Sequence, residues 1–470
     1  MAESYTNSKL FGLRELDEVL GSIPSNYVLV FKGSPGTGKT SFTIQTVYRN
    51  VVEQGSKVLY ITTNEGSEKL RIIAKSIGCD FDKYKDRIKV LEFLTPGDED
   101  IIDILTSKIV EGIEEGFDII VIDSITPVLK VLGTYSRMRA WLHTVVYRIV
   151  SSAQNVLMIL VADKLVEEDP IVSVLEYLAD VVIEFYYDFK RMFPFSRYFR
   201  ITKFRARHTP SFPIYFMITR EGIIPINLVS EKLAENTRKK RKIIHMSEEP
   251  LKKLFGEELI PGTQIGVIIK QPATAPTILH NCLMLKLGIE ALLNNINIGI
   301  ICYGPKGCRV DYNVKLLSDL IRNKLTIIDA DPTQLEETTY RVTKEWISKP
   351  ENLDVLIVAG YEKIAEFYNI YEVNKLIALY SRVDKKLGIT TFRIYWVSEA
   401  QHEIPSVIFT MSDIVLETTL DEKKGRINIK AVKAPHIRKP VTVSDTELEY
   451  TIEALREKIQ AIIASREEAK

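Results

Sequence analysis

The chain has 470 residues, 46% of them apolar and 26% charged, and a formal net charge of zero. That length exceeds what one hydrophobic core usually serves, so two or more domains are expected. The composition is that of a globular protein, and zero net charge speaks against nucleic acid as the main partner, because phosphate contacts need a basic surplus. The opening residues MAESYTNSKLFG hold no apolar stretch of signal-peptide length, and the run Val156 to Ala162 is far short of a membrane span. No membrane partner is expected. Cys79, Cys282, Cys302 and Cys308 are scattered and form no C-x-x-C. They read as buried free thiols in a reducing cytoplasm, not as a zinc site or a disulfide framework.

In chain order, Phe11 to Pro24 reads FGLRELDEVLGSIP. Leu13, Leu16, Val19 and Leu20 make a helical stripe that Gly21 ends. The apolar run Tyr27 to Phe31 reads as a buried strand. It leads into Gly33-Ser34-Pro35-Gly36-Thr37-Gly38-Lys39-Thr40, which fits G-x-x-x-x-G-K-[ST], the phosphate-binding P-loop. Phe42, Ile44, Val47 and Val51 then recur as on one helix face, and Gly55 closes the helix. Strand, glycine-rich turn and helix are the context the motif requires. Glycines let backbone N–H groups turn inward, and the helix N-terminus adds positive potential. Lys39 meets the terminal phosphates and the Thr40 hydroxyl ligates Mg²⁺. The expected ATP cradle runs from Gly33 through Thr40 to Ser41.

Further strands are expected at Lys57 to Thr63, Phe117 to Asp123, Val156 to Ala162, Ala179 to Phe185, Tyr198 to Phe204 and Pro213 to Thr219. Asn64-Glu65 follows the first of these. Asp123 ends the second, where a carboxylate after a P-loop unit suits a place near Mg²⁺, with Ser124 beside it. Ser136 to Ser151 reads as a helix with Trp141 and Val145 packed and His143 structural. The stretch Asp163 to Tyr177 reads as a loop carrying Glu167, Glu168, Asp169 and Glu176. Lys203-Phe204-Arg205, with His208 beyond, lies between the last two strands.

The lead-in with Gly12, Leu16-Asp17, Gly21 and Pro24, the P-loop, the aspartate strand and the Lys-x-Arg hairpin together resemble the KaiC-like ATPases of the RecA superfamily. The resemblance covers about the first 230 residues well and about the next 200 in outline. It implies an α/β fold, hexamers with ATP at each subunit interface, and Lys203 and Arg205 reaching a neighbour's γ-phosphate. It also implies an acidic pair after the second strand, one member activating water. Here the first member is Asn64 and only Glu65 is acidic. An amide orients water but accepts no proton, so slow turnover is expected. The acidic loop would repel phosphates, which separates the chain from strand-exchanging recombinases of the same superfamily.

Val229 to His245 is polar and contains the basic run Arg238 to Lys242, which reads as a solvated linker. After it the first half repeats: Pro24 corresponds to Pro261 and Gly33 to Lys270 at an offset of 237, Asp118 to Asp354 at 236, and Lys203 to Lys433 at 230. Near-constant offsets in one order indicate duplication of a whole domain. Strands are expected again at Ile265 to Ile269, Ile298 to Cys302, Val355 to Val358 and Thr391 to Val397. The chemistry is gone: Gly36, Gly38 and Lys39 become Ala273, Ala275 and Pro276, Asp123 becomes Ala359, and Arg205 becomes Pro435. From Ser444 the tail reads as a helix opened by a capping box with Glu447, with Leu448, Ile452, Leu455 and Ile459 in one stripe.

The expected architecture is therefore α/β, two tandem RecA-like P-loop domains, each a mainly parallel sheet flanked by helices. Residues 1–230 form the intact ATPase domain, 231–246 a basic linker, 247–443 the degenerate domain and 444–470 a C-terminal helix. Three functions fit: a slow Mg²⁺-dependent ATPase acting as a regulatory ring, a non-hydrolysing nucleotide-binding scaffold, or a recombinase-like repair factor. A protein partner would engage the second domain or the C-terminal helix.

Overall fold

The computed structural model describes residues 8–93, 100–149, 152–153, 155–164, 170–205, 207–270, 290, 293–304, 324–347, 349–397, 406–421 and 426–444, with the isolated residues 447, 457, 461 and 464. The chain divides into two compact units, Met1–Ser230 and Glu231–Lys470. In the first, β1 (Ser8–Lys9) pairs with β2 (Ile23–Pro24). The main sheet contains β3 (Val28–Gly33), β4 (Val58–Thr62), β5 (Ile88–Glu92), β6 (Ile119–Asp123), β7 (Leu157–Asp163), β8 (Val181–Tyr187), β9 (Arg197–Phe204), β10 (Ile214–Thr219) and β11 (Gly222–Pro225). Its order is β11-β10-β9-β8-β3-β7-β6-β4-β5. It is parallel from β5 through β8 and antiparallel from β8 to β11. The near-continuous apolar strands follow from this placement, because a parallel sheet is covered on both faces.

One face packs on the helix Lys39–Gln54, which buries Phe42, Ile44, Val47 and Val51 as their spacing predicted, against Phe31, Tyr60, Val121 and Phe185. Gly55 closes that helix in the left-handed conformation. The opposite face carries Val28, Leu59, Ile120, Ile122, Met158 and Leu160 under the helices Asp100–Glu114 and Ile125–Leu132. The lead-in helix is short, Arg14–Leu20, and differs from its expected stripe. Leu13 and Leu16 are buried, but Val19 is 43% exposed. Polar joints hold this segment instead. Asp17 accepts the N–H groups of Phe11 at 2.6 Å and Gly12 at 3.2 Å, while Thr46 donates to Phe11 O and Asn50 to Leu10 O. Gly12 has a φ of +87°, and a Cβ there would lie 2.6 Å from Thr46 Cα, so no other residue lets the lead-in lie this close to the helix. Ser136 to Ser151 starts as the α-helix Tyr135–Trp141 and continues in wider π-type turns over Leu142–Ile149, with Trp141 and Val145 buried and His143 exposed. The expected loop after Asp163 contains the helix Pro170–Leu178, which carries Glu176; residues 167 to 169 lie outside the described residues.

The second unit contains β12 (Ile244–His245), β13 (Glu258–Leu259), β14 (Gln264–Lys270), β15 (Ile298–Tyr303), β16 (Leu325–Ala330), β17 (Val355–Ala359), β18 (Thr390–Val397), β19 (Ile414–Asp421), β20 (Arg426–Lys433) and β21 (Val441–Ser444). Its sheet order, β16-β15-β17-β18-β14-β19-β20-β21, reproduces β5-β4-β6-β7-β3-β8-β9-β10 with the same directions. The two units are tandem RecA-like α/β domains. Their joints coincide in detail. Asp118 accepts from Lys57 N–H and its backbone bonds Lys57 and Leu157; Asp354 does the same with Asn297 and Thr390. Asp180 accepts from Val28 N–H, and Asp413 from Gln264 N–H. Both sheets carry a ladder irregularity at the corresponding place, between Val182 and Ile183 and between Val415 and Leu416. These registers equate Leu29 with Ile265, an offset of 236 (265 − 29), one less than the 237 expected at Gly33.

The basic run is not fully solvated. Its first residue, Arg238, ends the helix Glu231–Arg238, and the Arg241 side chain is buried, with Nη1 3.2 Å from Asp354 Oδ1. Burying the guanidinium is tolerable because that carboxylate pairs with it. The tail beyond Ser444 lies outside the described residues except at four positions, one of which is Glu447, which accepts from Ser444 N–H at 3.4 Å as half of the expected capping box.

Burial lifts the Asp17 carboxyl to about 7, against the N–H groups of Phe11 and Gly12 that pull it down. The folded chain therefore holds this proton more tightly than the unfolded chain, whose carboxyl titrates near 3.9. Its stabilising contribution is full below about pH 4 and is lost as pH rises through about 7. Asp17→Asn should accordingly become more stable relative to the parent as pH increases from about 5 to 8 in urea unfolding. A difference that does not change with pH would refute the assignment.

Candidate nucleotide site

Three neighbouring parallel strands end together and build the site. Gly33 closes β3 opposite Asp163 at the end of β7, and Asp123 closes β6 opposite Val161. The loop Gly33 to Gly38 turns from β3 into the helix Lys39–Gln54, with Gly36 at a φ of +78° and Gly38 at +105°. A Cβ on Gly33 would lie 2.4 Å from Phe185 O. The loop is braced from the sheet edge: Arg197 Nη1 donates to Gly36 O at 2.7 Å and its guanidinium lies over the Tyr187 ring at 4.1 Å. Thr37 donates through its hydroxyl to Ser34 O at 2.8 Å.

Lys39 is buried. Its Nζ donates to Gly33 O at 2.8 Å and Ser34 O at 3.0 Å and lies 3.0 Å from Asp163 Oδ1. The cation is thus held inside the loop it belongs to. Asp123 is also buried. It accepts from the Tyr60 hydroxyl at 2.7 Å and is in hydrogen-bond contact with Thr40. Burial raises its pKa, and the Tyr60 and Thr40 hydroxyls and the Lys39 charge oppose the rise. The Thr40 hydroxyl and the Asp123 carboxylate are hard oxygen donors set side by side, the donor type that Mg²⁺ takes. The fit is good: a sixteen-residue helix begins at the loop, its cation lies within, and a carboxylate stands beside the helix's second residue. Bound here, ATP with Mg²⁺ would bring a phosphoryl group whose charge Lys39 and the loop N–H groups offset. Pro35 and Ser41 flank this set in sequence.

The remaining expected residues have other partners in a single chain. Glu65 forms an ion pair with Lys69, in the first turn of the helix Ser67–Ser76 that follows it, and its backbone is tied to the Thr62 hydroxyl. Asn64 is exposed. Lys203 Nζ donates to Glu176 O at 2.8 Å and Tyr177 O at 3.3 Å, the C-terminal end of Pro170–Leu178. Burial and the neighbouring Arg205 lower its pKa. Lys433 makes the equivalent contact in the second unit, donating to Phe409 O and Ser412 O. Arg205 Nη1 lies 2.9 Å from Asp180 Oδ1. Glu176 is ion-paired with the buried Lys32, which also lies 3.0 Å from Glu184, so its charge is not free to repel phosphate. Ala359 ends β17 where Asp123 ends β6; residues 271 to 277, which carry Ala273, Ala275 and Pro276, lie outside the described residues.

Tyr60, Asp163 and Arg197 were not among the expected site residues. Asp163 had a readable signal, since VLMILVAD ends a buried strand in aspartate just as FDIIVID does. Tyr60 and Arg197 had none, because their roles depend on which strands become neighbours.

A parallel sheet flanked by helices, with a P-loop at its C-terminal edge and a carboxylate on a neighbouring strand end, defines a RecA-type P-loop ATPase domain. Residues 11–229 match the family model described as ATPase: KaiC, and the first unit belongs to the KaiC-like ATPases. The chain is also 33% identical to the DNA repair and recombination protein RadB of Methanosphaera stadtmanae over 117 residues, 25% of this chain and 49% of that protein. It is 27% identical to the DNA repair protein RadA of Mycobacterium tuberculosis over 183 residues, 37% of this chain and 35% of that protein. RadB of Pyrococcus abyssi is 28% identical over 153 residues, 32% of this chain and 64% of that protein. The chain thus spans about half or less of the first two of these relatives. No described helix is long and apolar enough to cross a membrane.

Removing the Tyr60 hydroxyl takes away a hydrogen bond that favours the charged Asp123. Tyr60→Phe should therefore move the acid limb of Mg²⁺-dependent nucleotide binding to higher pH. Titration with a fluorescent ATP analogue between about pH 5.5 and 8.5 reads this, and an unmoved limb would show that the hydroxyl does not tune Asp123.

Proposed function

We propose that the first unit binds Mg·ATP and hydrolyses it slowly, and that the chain works as a regulatory oligomer whose second unit binds no nucleotide. The observation that carries the reading is Lys39, a buried cation held by two loop carbonyls and Asp163, partners a triphosphate can replace. Slowness follows from the water-activating position: Asn64 has no carboxylate, and that of Glu65 is engaged by Lys69. The second unit ends β17 in Ala359 and has lost the loop glycines and lysine from its sequence, so we assign it a scaffold role. In a homo-hexameric ring with ATP at its interfaces, Lys203 and Arg205 would exchange Glu176 O and Asp180 for a neighbour's γ-phosphate, where fixed cations stabilise developing charge. Protein partners would dock on the second unit or the C-terminal helix of this cytoplasmic assembly.

A second reading, a DNA repair factor, has the printed names of the RadB and RadA relatives in its favour. Steady-state turnover separates the possibilities. Wild type should exceed Lys39→Ala at least about tenfold, the loss expected for a charge beside the phosphoryl group, and Asn64→Glu should be faster still. Equal rates for wild type and Lys39→Ala would leave a non-hydrolysing scaffold. Turnover stimulated by DNA, with a steep salt dependence, would favour repair. The assembly should gain mass on adding Mg·ATP; a monomer under both conditions would remove the roles of Lys203 and Arg205 in trans.

A further inference from the structure

The first unit carries a cluster of four charged side chains beside its P-loop strand that nucleotide binding leaves without a task. Lys32 stands one residue before the loop, on the sheet face away from the P-loop helix, since its neighbour Phe31 faces that helix. Its side chain is 6% exposed. Its Nζ pairs with Glu176 on the helix Pro170–Leu178 and lies 3.0 Å from Glu184 Oε2 on β8. Lys164 Nζ lies 2.8 Å from the other oxygen of Glu184. Lys164 is itself tied to the loop: its N–H donates to Gly33 O, and its carbonyl accepts from the Ser34 hydroxyl at 3.4 Å. Burial pushes the Glu184 carboxyl up, but Lys164, Lys32 and the Tyr186 hydroxyl outweigh it and hold its pKa below the usual glutamate value. Two cations and two anions thus alternate, joined to the loop through Lys32 and through Lys164.

The far end of the cluster is Lys203. Glu176 gives its carboxylate to Lys32 and its carbonyl to Lys203 Nζ, which also donates to Tyr177 O. The second unit shows that the fold makes this lysine contact without the ion pair. Lys433 donates to Phe409 O and Ser412 O. Ladder registers equate Lys32 with Ile268, and the lysine contacts equate Glu176 with Phe409. Apolar residues fill such a place at least as well for stability. An ion pair adds sensitivity to charge. A further charge brought close competes with it, and buried pairs are little screened, whereas apolar side chains are indifferent. The unit that has the ion pair is the unit that has the P-loop lysine and glycines.

We infer that Lys32 and Glu176 are positioning residues that tie the hold on Lys203 to the charge in the P-loop of the same chain. A triphosphate at the loop draws Lys32 toward it. Glu176 then loses its partner, the last turn of Pro170–Leu178 loosens, and the carbonyls that hold Lys203 loosen with it. Lys203 is released to a neighbour only after its own chain has bound nucleotide. The inference rests on the nucleotide reading of the first unit, and its last step on the role of Lys203 in trans.

Hydrogen exchange at the amides of residues 171–178, followed by mass spectrometry on the full-length chain with and without Mg²⁺ and a non-hydrolysable ATP analogue, reads the loosening. Titration with a fluorescent ATP analogue establishes saturation separately. In wild type, saturation should speed exchange at this helix end by about fivefold or more, the lower size of coupling between two sites. The variant K32I/E176F carries the residues of the second unit, and Glu184 keeps Lys164. It should bind the analogue and show no such change; an effect of assembly alone would persist in it. Unchanged exchange in saturated wild type, or a change that survives in K32I/E176F, would overturn the inference. A chain that binds no analogue would overturn the nucleotide reading and this inference with it. If K32I/E176F does not fold, Glu176→Gln must lose the response and Glu176→Asp must keep it, and the opposite result for either would again overturn the coupling. Turnover tests the last step: where the response is lost, kcat should fall with KM unchanged. A lost response with unchanged kcat would uphold the coupling and remove Lys203 from its role in trans.

Discussion

In a parallel sheet every strand runs toward the same edge, and residues far apart in sequence are delivered there side by side. That constraint underlies the whole candidate nucleotide site. Gly33, Asp123 and Asp163 close three adjacent strands, and the helix that follows the loop starts at the same edge. Lys39 is then surrounded by what those strand ends supply: two carbonyls and a carboxylate. Its charge is compensated by these partners.

The two units separate what a fold needs from what a site needs. Aspartates that tie one strand to the start of the next are kept in both, at Asp118 and Asp354 and at Asp180 and Asp413. So is a lysine beside the ladder irregularity that donates to a helix end, at Lys203 and Lys433. These groups satisfy buried backbone polarity, which costs free energy whatever the domain does. A lysine kept where the strand-end aspartate has become Ala359 has a structural contact in any case, and in the first unit any role in trans competes with that contact. The charged set Lys32, Glu176, Glu184 and Lys164 is copied only in part: Ile268 and Phe409 stand at the places of Lys32 and Glu176, while Glu417 stands at that of Glu184 and pairs with Lys270. The second unit has a buried ion pair on the same face, at Arg393 and Asp384.

Most of the fold could be read from the chain because buried parallel strands are unusual in sequence. Runs such as VLVFKG, IIVID and LMILVAD are apolar throughout, and helical periodicity between them is clear. Repetition was also visible, since offsets survive when side chains diverge. Short or irregular elements were not. The lead-in helix is held by Asp17 and Asn50 more than by its stripe, and Arg241 is buried by a carboxylate more than a hundred residues away, which no local pattern encodes. The helix carrying Glu176 was hidden because its one flanking acidic cluster reads as loop.

The sequence alone determined the P-loop, the strand that precedes it, the aspartate that ends a later strand, and the loss of the loop glycines, the lysine and that aspartate from the second copy. Those depend on residue type and order, which are local. Tertiary structure decided which groups meet: that Tyr60 reaches Asp123, that Arg197 braces Gly36, and that a leucine-sized position in one unit holds a paired arginine in the other. Each of these is a contact across strands or along a packed face, and it exists only once sheet order and register are set.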